Sequence, residues 1–149
     1  ITPLLADADA FRRMIDELAA AYAGAGVTKI MGAEARGFIL AGPLAYAMGT
    51  GFIPARKPGK LPWNTTAAEY ELEYGTDSLE MHQDAISEGD VVLIVDDVLA
   101  TGGTAAAKAR LVEESGGIVA GFAFLMELDF LNGRQKLGDR RIVSLVHVK

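Results

Sequence analysis

Cysteine is absent from these 149 residues, so the sequence offers no disulfide scaffold, no zinc ribbon and no cysteine nucleophile. That lack also fits a reducing compartment. Basic residues are in the minority. Fourteen Lys and Arg against 20 Asp and Glu leave a net charge of −6, which argues against a general attraction to nucleic acid. Long apolar runs are missing too. The longest, Ile118 to Met126, is too short to cross a bilayer as a helix. Residues 1–20 lack a basic start followed by an apolar core, so no signal peptide and a cytoplasmic location are expected. Neither a repeat nor a low-complexity tract is visible. What is present is a chain that is 50% hydrophobic and the length of one domain, residues 1–149. At that size a fold buries about 70% of its unfolded surface and needs no staple.

Patterning alternates between strands and helices. Phe11, Met14, Ile15, Leu18 and Tyr22 recur at helical spacing, with Asp7 as a cap and Gly24 and Gly26 beyond the end. Lys29 to Gly32 reads as a short strand. Residues 36–48 read as a helix that is apolar nearly all round, so it is buried or covered by a partner; Pro43 within it should disturb its regularity. Residues 51–56 form another strand. Residues 58–68 hold two prolines, a glycine, an asparagine and two threonines, which predicts a loop and a functional lid. Strict alternation over Glu69–Tyr74, a turn at Gly75-Thr76-Asp77, and renewed alternation at Leu79 and Met81 predict a β-hairpin. Val91 to Val95 is an aliphatic run typical of a strand buried on both faces. A helix over about 104–115 and strands over 118–126 and 141–148 complete the pattern. The expectation is an α/β fold: a central, mostly parallel twisted sheet flanked by helices, with an inserted antiparallel hairpin and a flexible lid loop over about 57–82.

Chemistry concentrates in Val91-Val92-Leu93-Ile94-Val95-Asp96-Asp97-Val98-Leu99-Ala100-Thr101-Gly102-Gly103-Thr104. A buried strand leads to two acids, then to a loop of glycines and threonines that opens a helix. Ligands of open α/β sheets bind at the carboxyl ends of strands. Glycines let backbone N–H groups approach a phosphate, and the helix start adds partial positive charge. Asp96 and Asp97, one loop away, suit sugar hydroxyls or a metal ion. The plain alternative is a turn and a helix cap. No Lys follows the glycines, so this is not a Walker A loop, and the dinucleotide spacing is absent as well.

This segment resembles the phosphoribosyl pyrophosphate (PRPP) signature of type I phosphoribosyltransferases. Three further stretches resemble the adenine-specific branch of that family: Gly32-Ala33-Glu34-Ala35-Arg36-Gly37-Phe38, Arg56-Lys57-Pro58-Gly59-Lys60-Leu61-Pro62 and Leu72-Glu73-Tyr74-Gly75-Thr76. The resemblance covers almost the whole chain. It implies the conversion of adenine and PRPP to AMP and pyrophosphate in purine salvage. It implies that Ala100, Thr101, Gly102, Gly103 and Thr104 hold the 5′-phosphate and that Asp96 and Asp97 hold the ribose hydroxyls and serve catalysis. Arg36, Arg56, Lys57 and Lys60 would bind pyrophosphate; a surface arginine and a solvated charge run are the plain alternatives. Glu73 would move a proton to or from the purine, although alternation alone reads Glu69, Glu71 and Glu73 as a wet acidic face. Tyr74 would cover PRPP as part of the lid, and Ala33 would approach the base.

Magnesium would be carried mainly by PRPP oxygens and water, so no protein ligand is assigned to it. His82 and His147 have no metal-ligand company in the sequence and read as structural. Trp63 stands where many relatives carry a polar or small residue. The chain begins at Ile1 rather than Met, and part of the purine pocket in the family precedes the Ile1-Thr2-Pro3-Leu4-Leu5 match. That base-binding segment is expected to lie outside this sequence. The family is usually homodimeric, in keeping with the apolar 36–48 helix. Two alternatives stay open: a phosphoribosyltransferase for another purine such as xanthine, and a non-catalytic PRPP-sensing regulator of the same fold. Neither nucleic acid nor membrane is an expected partner.

Overall fold

The computed structural model describes residues 1–72 and 74–149. Helices α1 (Thr2–Ala6) and α2 (Ala8–Ala21) precede β1 (Lys29–Ala33), α3 (Arg36–Met48) and β2 (Gly51–Ala55). The hairpin β3 (Thr65–Leu72) and β4 (Gly75–His82) follows. Then come β5 (Val91–Leu99), α4 (Gly103–Glu114), β6 (Ile118–Leu128), two 3-10 turns and β7 (Ile142–Val148). The main sheet has the order β2-β1-β5-β6-β7 and every pairing in it is parallel. The hairpin forms a separate two-stranded antiparallel sheet. This is the expected fold class.

Period-two alternation along the central strands divides the core into two layers. Met31, Val92, Ile94, Phe122 and Phe124 face α4 and the hairpin. Ile30, Leu93, Val95, Ala123 and Leu125 face α2 and α3. Asp7 caps α2 by accepting from the Ala10 N–H at 2.9 Å. The α2 face that reads as apolar delivers Met14, Ile15, Leu18 and Tyr22 to the second layer. The Tyr22 hydroxyl donates to the Phe122 carbonyl at 2.8 Å, and burial pushes its pKa up to about 12. Gly121 makes room for it, because a Cβ there would lie 2.4 Å from the hydroxyl. Tyr22→Phe is expected to cost about 1–2 kcal/mol. Thermal melts should register a fall of about 3–6 °C at unchanged turnover.

Several expectations need correction. Helix α1 is too short to carry a periodic signal. Helix α3 is continuous through Pro43, because the helix is pinned by Gly37, Leu40, Ala41, Leu44 and Ala45 on the sheet side. It is apolar all round yet only half covered, since Ile39 and Tyr46 point outward. The loop after β2 is shorter than 58–68, because the hairpin already begins at Thr65. Leu72 pairs with Gly75, and Thr76 and Asp77 pair with Glu71 and Tyr70, so β4 starts where the sequence pattern suggested a turn. Strand β5 continues through Asp96 and Asp97 to Leu99, held by pairing with Phe124, Met126 and Glu127 of β6. Among the described residues, no helix is long and apolar enough to cross a membrane.

Candidate active site

The carboxyl ends of β1 and β5 meet the start of α3, the segment after β2 and the hairpin in one cleft of about 360 Å³. Ala33, Arg36, Lys57, Asp96, Asp97 and Thr104 line it, with Glu34 and Tyr70. Beside it, Ala100, Thr101, Gly102, Gly103 and Thr104 enclose a cavity of about 100 Å³ that also touches Asp96. The two adjoining spaces thus contain most of the residues singled out from the sequence.

Alternation within β5 sends the two acids to opposite sides. Asp96 turns toward α4, where Lys108 Nζ lies 2.7 Å from Oδ2. Asp97 turns toward α3, where Arg36 Nε lies 2.6 Å from its Oδ2. Among the described residues, no donor makes a well-aligned hydrogen bond to the buried Asp97 Oδ2, although Arg36 lies this close. Burial, reinforced by the neighbouring Asp96, raises the Asp97 pKa above the ordinary carboxylate value, and Arg36 offsets only part of this. Asp96 goes the other way. Burial opposes its charge, but Lys108 and the Asp97 N–H outweigh that and hold its pKa below the usual value.

Gly102 carries φ +89° and caps α4, and among the described residues no side chain caps that helix. The first N–H groups of α4 therefore face the small cavity without an intrahelical acceptor. Such an end attracts anions. The left-handed turn at Gly102 packs flat against Gly133, whose carbonyl oxygen would lie 2.5 Å from a Cβ at position 102.

The cationic stretch is organised by an acid to which the sequence reading gave no role. Glu34 accepts from the Lys57 N–H at 2.7 Å, from Lys60 Nζ and from Arg56 Nε at 3.3 Å. Burial pushes the Glu34 pKa up, yet these donors more than compensate and keep it below the usual range. Lys57 also pairs with Asp77 and reaches the Tyr70 hydroxyl at 3.0 Å; these partners raise its pKa. Lys57 lines the cleft, whereas Arg56 and Lys60 border it through Glu34. Tyr74 is 89% exposed and Leu72 49%, so the apolar side of the hairpin does not extend inward past Tyr70. Glu73 lies outside the described residues.

His147 does have acidic company, contrary to the sequence reading. Its Nδ1 lies 2.8 Å from Asp129 and 3.8 Å from Glu127. Those carboxylates are already answered, Glu127 by a two-pronged pair with Arg134 and Asp129 by Lys149. The arrangement does not suit a hard divalent cation, and none of its residues lines the cleft. No local pattern marks a role for Glu34, Tyr70, Asp77 or Lys108, because each acts through a partner a dozen or more positions away. The one sequence signal for Lys108 is its place after three alanines, on the same helix face as Thr104.

A parallel sheet whose acidic strand end lies beside a glycine-turned helix start suits a phosphorylated sugar. Residues 2–144 match the family model described as the phosphoribosyl transferase domain. The adenine phosphoribosyltransferase of Myxococcus xanthus is 56% identical over 146 residues, which is 98% of this chain and 79% of that one. The solved structure of the Thermoanaerobacter pseudethanolicus adenine phosphoribosyltransferase superposes with a TM-score of 0.97 at 57% identity, covering 99% of this chain and 86% of that one. The Saccharomyces cerevisiae enzyme, solved with an imino-altritol bisphosphate and adenine, gives 0.90 at 42% identity, covering 97% and 84%. The chain belongs to the adenine phosphoribosyltransferase family.

Proposed function

We propose that this chain moves the 5-phosphoribosyl group of PRPP onto adenine, forming AMP and pyrophosphate in purine salvage. The observation that carries the reading is the adjacency of Asp96 and Asp97 to the open N-terminus of α4. A ribose 5-phosphate that places its phosphate on that helix end brings its diol to the two acids. The acceptorless N–H groups of the 102–104 turn bind the monoester, together with the Thr101 and Thr104 hydroxyls. Asp97 Oδ2, buried and without a well-aligned donor among the described residues, accepts from a ribose hydroxyl.

In the reaction the purine N9 bonds to C1 of the ribose while the bond from C1 to the pyrophosphate oxygen breaks. Positive charge builds on the sugar and negative charge on the leaving group. The two carboxylates favour the first more strongly in the transition state than in the ground state. Arg36 and Lys57 face the second, with Arg56 and Lys60 behind them. Arginine's fork suits phosphate oxygens. The proton lost from the purine goes to a base, the role we give Glu73 by family resemblance. Mg²⁺ would be carried by PRPP oxygens and water rather than by a protein ligand, and would offset charge on the leaving pyrophosphate. Ala33 approaches the base, and Tyr74 acts as cover that excludes water from PRPP.

We further infer a homodimer, supported by the exposed Ile39, Tyr46 and Phe52 on the outer side of α3 and β2. A cytoplasmic location accords with the cysteine-free composition. The substrate reading is tested by absorbance assays of the full-length protein with PRPP and adenine, hypoxanthine or xanthine. Adenine alone is expected to give rapid PRPP-dependent nucleotide formation. Turnover of xanthine without turnover of adenine would overturn the assignment.

A further inference from the structure

Lys108 has no part in the reaction as described, yet its placement is unusual. It sits in the middle of α4 with a relative exposure of 0%. Lysine is almost never fully buried without a partner. Its ammonium lies 2.7 Å from Asp96 Oδ2. The other Asp96 oxygen accepts the Asp97 N–H at 2.9 Å, and Gly37 closes in behind it, since a Cβ there would come within 2.9 Å. The carboxylate is therefore fixed at both oxygens, with 17% of its side chain left open. Lys108 is also four residues after Thr104, on the same face of the helix whose first turn borders the phosphate cavity. One rigid element thus sets both the anion-binding turn and the cation behind the acid.

The neighbouring acid is served differently. Arg36 pairs with Asp97 from the open side and is 68% exposed. If Arg36 turns to the leaving pyrophosphate, it gives up Asp97, whereas Lys108 cannot reach solvent or substrate. The other charged or titratable groups facing this cleft are Glu34, beside Arg36, Lys57 after β2, Tyr70 on β3 and Asp97 on β5. From β6 the residue paired with Asp96 is the apolar Phe124. We propose that Lys108 is a positioning residue, a permanent buried counter-charge that holds Asp96 ionised and aimed at the PRPP sugar while the counter-charge on Asp97 is exchangeable. This rests on the reading of Asp96 as a sugar ligand.

The test compares Lys108→Met and Lys108→Gln with the unaltered protein, following kcat and KM for each substrate from pH 5.5 to 9.5, with thermal melts alongside. Loss of the ammonium lifts the Asp96 pKa into the assay range. Both variants should show the acid limb of kcat/KM for PRPP moved up by about one pH unit or more, a loss of about tenfold at pH 6 that fades by pH 9. KM for adenine should not move. Lys108→Cys, the lone cysteine in this sequence, can be alkylated with 2-bromoethylamine while unfolded and then refolded. The restored ammonium should return the acid limb to its original place.

A pH profile parallel to that of the unaltered protein, with only a lower rate or melting temperature, would overturn the proposal, as would full rescue by Gln. Should the variants not fold, carbon-13 NMR of the unaltered chain decides. The Asp96 carboxyl should stay ionised down to pH 4, and titration between about pH 5 and 6 would refute the role. Asp96→Asn separates the two readings. It should raise KM for PRPP at every pH, and an unchanged KM would remove the sugar-ligand reading itself.

Discussion

Asp97→Asn is expected to lower kcat/KM by about 10²–10³-fold while leaving the melting temperature at pH 7.5 unchanged or slightly higher. The change keeps the shape of the side chain and removes its charge. The ribose hydroxyl loses a charge-assisted hydrogen bond and the developing cation loses a facing anion, together about 3–4 kcal/mol of transition-state stabilisation. Stability responds in the opposite sense. Burial and Asp96 raise the Asp97 pKa in the folded protein, so the native state binds this proton more readily than the unfolded chain does. As pH climbs from about 4 through that raised value, ionised Asp97 takes stability away from the fold. Asparagine carries no such penalty. The difference in melting temperature between variant and parent should therefore grow in the variant's favour from pH 4 to pH 7.5. A drop of more than a few degrees at pH 7.5, matched by the loss of activity, would instead make Asp97 a structural residue.

Gly102→Ala is expected to damage both folding and phosphate binding. The residue has φ +89°, and an added Cβ would lie 2.5 Å from the Gly133 carbonyl oxygen and 3.2 Å from its carbon. These are backbone atoms that cannot swing aside. Left-handed strain and overpacking add to about 3 kcal/mol or more, a fall of about 6–12 °C in melting temperature. Because the turn must shift, KM for PRPP should rise about tenfold or more, with KM for adenine little changed. Gly103→Ala is the matched control. A Cβ there would meet its nearest atom, the Glu71 carbonyl oxygen, at an ordinary 3.7 Å, and the melting temperature should barely move. Equal damage from both substitutions would contradict the steric account.

How far the sequence disclosed this site depends on the reach of each contact. Residues 96–104 are contiguous, so strand, acids, glycines and helix start could be read together, and the structure gathers them round two adjoining spaces. The aliphatic run Val91–Val95 marked a central strand for the same reason. Its continuation to Leu99 was not legible, because Asp is a poor strand former. Pairing of Asp96 with Phe124 and of Leu99 with Glu127 overrides that preference. Thr65 to Ala68 carry too little hydrophobic contrast to announce a strand, and the partner strand bearing Leu79 and Met81 makes them one. Glu34 stands within a motif, but no local pattern shows its task, since its three donors lie 22 to 26 positions away. The same distance problem hid the acids around His147.

On the proposed reading, Glu34 also sets the terms on which anions are admitted. Arg56 and Lys60 both pair with this one carboxylate. A chloride ion that approaches them competes with a carboxylate of equal charge already in contact, so it gains little by staying. A diphosphate brings several charges spread over many oxygens and can outbid the carboxylate at more than one cation at once. The entrance would thereby act as a threshold on valence: sparse charge is held weakly, and dense charge displaces the incumbent.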